Sequence, residues 1–120
     1  MDPKKQRAKL EKDHELELRR LMRTLGWHTE KTHGSLFRKG FPDLFCMHPT
    51  LGPGSTPIQR WVEMKRPGQG ELEESQKVKF RLWTNAGVGI WVLSSAADYD
   101  KLFKPANWHW WLDPELRKLL

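Results

Sequence analysis

The segment Trp61-Val62-Glu63-Met64-Lys65 constrains this chain more than any other. Charged and apolar side chains alternate along it, so a β-strand places Glu63 and Lys65 on one face and Val62 and Met64 on the other. The spacing predicts a strand over Ile58–Lys65. A short apolar run, Asp43-Leu44-Phe45-Cys46-Met47, lies upstream at strand length, and the Pro- and Gly-rich stretch Pro49–Pro57 between the two reads as a loop. Together they predict a hairpin with a long connection. Val88–Leu93 is apolar on both faces, the pattern of an interior strand.

Helices are expected around these strands. Leu10–Leu25 carries Leu18, Leu21, Met22 and Leu25 as a stripe at helical spacing, and Gly26 follows as a stop. Trp27–Lys31 reads as a strand followed by a Gly34-Ser35 turn. Leu72–Ala86 is a second helix stopped at Gly87, Ser95 caps a short helix through Phe103, and Asp113-Pro114 opens a terminal one running to Leu120. The order of elements is that of a single compact α/β domain, a mixed sheet flanked by helices.

With 120 residues, 38% of them hydrophobic and 30% charged, the chain is too aromatic for a disordered segment and too charged for a membrane protein. No apolar run reaches the ~18 residues of a transmembrane helix. The N-terminal Met1-Asp2-Pro3-Lys4-Lys5-Gln6-Arg7 lacks the apolar stretch of a signal peptide. A lone Cys46 fits a reducing compartment, so the expected location is the cytoplasm of a bacterial or phage-infected cell. The net charge of +6 is uneven: residues 1–39 hold 11 basic and 6 acidic side chains. Such an excess points to a polyanionic partner such as nucleic acid, or to a solvated basic helix.

Asp43 opens the first hairpin strand, and Glu63 and Lys65 share a face of the second. One carboxylate from each neighbouring strand with an ammonium beside them is what a magnesium-dependent phosphodiesterase requires. Oxygen ligands hold Mg²⁺ with water positions left open, and lysine neutralises developing charge. A charge pair on one strand face is also met as a solvated edge.

As an ordered set, Gly40-Phe41-Pro42-Asp43-Leu44, Val62-Glu63-Met64-Lys65-Arg66, Gln76, and Gly87 before an apolar strand resemble the VRR-NUC family of the PD-(D/E)xK nuclease superfamily. The resemblance covers residues 11–103, leaving 1–10 as a basic tail and 104–120 as a Trp-rich extension that packs on the domain or on a dimer partner. It implies a nuclease core that hydrolyses DNA phosphodiesters with Mg²⁺ or Mn²⁺ and needs no small-molecule cofactor. Stand-alone members of this size, many from phages, tend to be homodimers acting on branched DNA such as Holliday junctions.

By position, the resemblance makes Asp43 and Glu63 metal ligands, adds the carbonyl of Met64, and makes Lys65 the catalytic lysine. It matches Gln76 to a glutamine near the site; on spacing alone Gln76 reads as an ordinary exposed helix residue. The family's acid on its first helix corresponds to Glu15, with Glu11 second. Glu73 stands where the family usually caps its second helix with Ser or Thr. A sequence-specific or repair endonuclease on the same core, and a non-catalytic DNA-binding protein of nuclease-like fold, are the competing readings. An RNA-binding adaptor lacks its aromatic strand motif.

Arg66, Lys77, Lys79 and Arg81 are candidate phosphate contacts, as is His33. The five histidines show no zinc spacing. In the tail, Trp108-His109-Trp110-Trp111 offers indoles that stack on unpaired bases, cover the sheet, or bury a dimer contact.

Overall fold

The structure, a computed structural model, describes residues 2–32, 40–49, 57–65 and 71–112, the side chains of 4–9 excepted. His33, Arg66, the Gly34-Ser35 turn, most of the Pro49–Pro57 loop and the terminal helix expected from Asp113 lie outside the described residues.

Helix α1 spans Pro3–Thr24 and strand β1 His28–Lys31. Strands β2 (Leu44–His48) and β3 (Ile58–Met64) form the expected hairpin, and α2 (Glu74–Asn85) leads into β4 (Ile90–Leu93). Two 3₁₀ helices follow, η1 (Ala96–Phe103) and η2 (Trp108–Trp111). The sheet order is β1-β2-β3-β4, antiparallel through β3 and parallel between β3 and β4. A mixed sheet flanked by helices is therefore the architecture.

Period two divides the core as the sequence requires. On one face Leu44, Cys46, Val62, Met64, Trp91 and Leu93 pack with Leu18 and Met22 of α1 and Leu102 of η1. On the other, Ile90 and Val92 pack with Leu72, Phe80 of α2 and Trp108 of η2. Tryptophan hydrogen bonds pin distant segments: Trp27 Nε1 donates to Tyr99 Oη at 2.8 Å, and Trp91 Nε1 to the Lys104 carbonyl at 2.8 Å.

Three expectations are corrected. Helix α1 begins at Pro3, a residue suited to a first helical turn, rather than at Leu10. Leu25 is 45% exposed because the chain leaves the helix there; Gly26 follows at φ +95°, and Trp27 enters the core in place of Leu25. Strand β4 is buried on both faces but lies at the end of the described sheet, not inside it. An apolar run reports covered faces and is silent about edges. Here the Asn107 side chain closes the edge: its oxygen accepts from the Val92 N–H at 2.6 Å, and its amide donates to the Val92 carbonyl at 3.0 Å.

Candidate functional site

The Pro42-Asp43 turn is held from three sides. Gly40 adopts φ +85°, and a Cβ there would stand 2.9 Å from the Ser75 carbonyl oxygen, so only glycine lets this turn press on the start of α2. The Thr32 hydroxyl donates to the Pro42 carbonyl, and the Thr32 N–H donates to the Asp43 carbonyl at 3.0 Å. The Asp43 carboxylate accepts from the Met64 N–H at 2.8 Å. In the β2–β3 register Leu44 faces Val62, which carries Asp43 to the place opposite Glu63.

Glu63 is only 2% exposed. Its Oε2 lies 3.4 Å from Lys65 Nζ, while its Oε1 is buried with no hydrogen-bond partner. Burial is the largest influence pushing its pKa up to about 8; the neighbouring Asp43 charge adds to it, and Lys65 and the Gln76 amide oppose it. Burial likewise raises Asp43; the Met64 N–H and Lys65 favour its charged form, and the charges of Glu15 and Glu11 disfavour it.

Gln76 is buried, against its reading as an exposed helix residue from spacing alone. Its Oε1 accepts from the Glu73 N–H at 3.0 Å, which places it as the capping partner of α2 and turns its amide toward Glu63. This bond satisfies the Glu73 N–H at the start of α2, where the expected Ser or Thr is missing. Glu15 is 9% exposed and acts on Asp43 through its charge, but its Oε2 is ion-paired with Lys31 Nζ at 3.1 Å. Lys31 carried no signal beyond its charge; the β1–β2 register, which sets it beside Leu44 on the face toward α1, identifies it.

The other predicted contacts separate. The Lys79 ammonium sits 4.3 Å from the Phe41 ring centroid, next to the turn, whereas Lys77 is paired with Glu74 at 3.0 Å on the outer side of α2. Trp108, from the tail, is a core residue at 5% exposure, its Nε1 donating to Thr84 Oγ1 at 2.6 Å. Burial pushes the Cys46 thiol up to about 12, as befits a small apolar strand residue.

Two adjacent carboxylates, half-buried Asp43 and fully buried Glu63, the latter with an oxygen that no described residue satisfies, form a set of hard donors that a divalent cation suits. Among the described residues no three His, Cys, Asp or Glu side chains converge on one point, so water and backbone oxygen would complete the shell. No protein-family model matches the sequence, and comparison with curated proteins finds no relative. Comparison with solved structures finds a match to one described as a VRR_NUC domain. It has a TM-score of 0.62 and 21% sequence identity, and spans 79% of this chain and 95% of that one. This chain has the fold of a VRR_NUC domain. Within the VRR_NUC fold, Asp43, Glu63, Lys65 and Gln76 meet at one end of the sheet, with Glu15 reaching toward it from α1.

Proposed function

We propose that this chain is a metal-dependent deoxyribonuclease of the VRR-NUC family that hydrolyses phosphodiesters in branched DNA such as Holliday junctions, as a homodimer in the cytoplasm. One observation carries the reading: buried Glu63 beside half-buried Asp43, with Lys65 next to it and a Glu63 oxygen unpartnered among the described residues, in a fold similar to a VRR_NUC domain. An unpartnered buried carboxylate oxygen is costly unless a cation or donor meets it in the working state.

Asp43, Glu63 and the Met64 carbonyl would hold Mg²⁺ or Mn²⁺, with Glu15 joining once freed from Lys31. Bound there, the ion supplies Lewis acidity toward a phosphoryl oxygen and lowers the pKa of water. The chain's own residues do the rest. The Met64 N–H fixes the rotamer of Asp43, and Gln76 and Lys65 oppose the protonation of Glu63 that its burial favours. The Lys65 ammonium, itself mostly buried, faces the negative charge that grows on the phosphate as water adds to phosphorus and the ester oxygen leaves. The basic N-terminal third draws the DNA in.

A cleavage assay on a labelled four-way junction, a flap, single strands and plain duplex tests this, with Mg²⁺, Mn²⁺ or EDTA and with Asp43→Ala alongside. Cutting of the junction that needs metal and vanishes in the variant is expected. Binding without cutting on every substrate would overturn it.

A further inference from the structure

Period two sets a second cross-strand pair on the face that carries Glu63. Phe45 and Trp61 are direct partners in the β2–β3 ladder, their rings 4.9 Å apart, one pleat along from Asp43 and Glu63. Two residues of strand is about 7 Å, so the aromatic pair adjoins the carboxylate pair. Helix α2 covers the β3–β4 half of this face, and among the described residues nothing covers the β1–β2 half. Trp61 meets Trp83 of α2 at 5.0 Å, and Phe41 meets Trp83 at 5.1 Å, which fixes both rings edge-on. On their open side lies a cleft of about 320 Å³ floored by Phe41, Phe45 and Trp61 and walled by Glu30, Lys31 and Thr32.

All three rings are half-buried, held in place by protein on one side and exposed on the other. The polar wall has the exposed Glu30 carboxylate, one oxygen of which pairs with His28 at 3.0 Å, and backbone groups able to meet the edge of a base. Lys79, its ammonium 4.3 Å from the Phe41 ring centroid, adds positive charge nearby. The protein as a whole is basic, with a net charge of +6.

We propose that this cleft is a base-stacking site, in which one unpaired nucleobase of a DNA strand lies against Phe45 and Trp61 while its backbone passes Asp43 and Glu63. The inference rests on the nuclease reading for the identity of the strand, and it deepens that reading: the enzyme takes DNA with an unpaired nucleotide beside the phosphate it cuts. A base inside an intact duplex keeps its own stacking neighbours and cannot enter, so selection is for an extruded or single-stranded base. Any base has a π-face, so the site does not read sequence.

The test is a binding measurement on the full chain carrying Glu63→Gln, in EDTA, with two DNA probes differing at one unpaired position. One holds 2-aminopurine there and the other an abasic residue, each in a duplex with a short single-stranded arm; a blunt duplex is the control. Stacking quenches 2-aminopurine emission at that position and leaves it unchanged when the fluorophore sits in the duplex. Removing the base weakens binding about 5- to 140-fold, the range of one base–aromatic stack. Phe45→Ala weakens the armed duplex by the same factor and leaves the blunt duplex within about twofold, while Phe45→Tyr retains affinity. The abasic comparison needs no substitution in the cleft, so it decides even if Phe45→Ala fails to fold.

Unquenched emission, or equal affinity for the abasic and intact arms, overturns the proposal; a cleft that takes up apolar peptide but no base does so too. The two readings fail separately. Wild-type protein that cuts no DNA while the base-dependent binding holds removes the nuclease and keeps the stacking site. Metal-dependent cutting with no base dependence removes the stacking site alone.

Discussion

The two faces of the sheet are built from the same four strands and are finished differently. Toward α1, Leu18, Met22, Leu44, Cys46 and Val62 are fully buried, and the buried charge that approaches that side among the described residues, Glu15, is matched by Lys31. Toward α2, Glu63 is as buried as a core leucine, keeps one oxygen unsatisfied, and lies next to three aromatic rings left half open. One face is optimised for packing; the other retains unsatisfied polar and aromatic surface at one end. Stability and chemistry have been separated by the strand's own alternation, so adjacent residues such as Val62 and Glu63 serve different ends.

The comparison breaks most visibly at the carboxylates. Asp43→Ala or Glu63→Ala is expected to abolish metal-dependent cleavage, a loss above about 10³-fold, with DNA affinity kept within about tenfold in a binding titration. Lys65→Ala should follow, lowering the single-turnover rate about 10²–10³-fold if its ammonium meets charge that develops only in the transition state. An unchanged rate would make Lys65 a scaffold for Glu63.

On stability the order of the faces reverses. Leu44→Ala, on the closed face, is expected to cost about 2–5 kcal/mol in urea denaturation. Phe45→Ala, its neighbour on the open face, should cost clearly less, because its ring already meets solvent. Equal losses would mean the open face is packed as part of the core.

The smallest effect is in pH. Glu63 ordinarily titrates near 4.5 and is pushed up to about 8 in the fold, and Asp43 is raised as well. The native state therefore binds protons more tightly than the unfolded chain. The stability Glu63 contributes is complete below pH 4.5 and is lost as pH rises through about 8, and Asp43 acts in the same direction. Thermal melts in EDTA should show a midpoint falling by about 3–8 °C from pH 5 to pH 8. Adding Mg²⁺ at pH 8 should restore it by binding the native state, and Glu63→Gln should flatten the slope. A midpoint that rises with pH would contradict the buried-pair assignment.

Much of this was legible in the chain. Alternation in Trp61–Lys65 assigned Glu63 and Val62 to opposite faces, and Leu18 and Met22 marked the buried side of α1, because such periodicities follow from backbone geometry alone. The same rule, extended from Asp43 to Phe45 and from Glu63 back to Trp61, places the aromatic floor on the face of the carboxylates, whereas the more conspicuous Trp108–Trp111 tail gives its first indole to the core.

Tertiary structure decided everything that depends on which distant segments meet. That Gln76 is buried with its amide toward Glu63, that Lys31 holds Glu15, that Asn107 closes the β4 edge and that α2 leaves half of one face open are pairings across ten or more residues. Local propensity carries the period of an element and the identity of its faces. Burial, pairing and charge balance come from the neighbours that face each element once the chain has packed, and they set which of its carboxylates is a solvated surface group and which is held and desolvated.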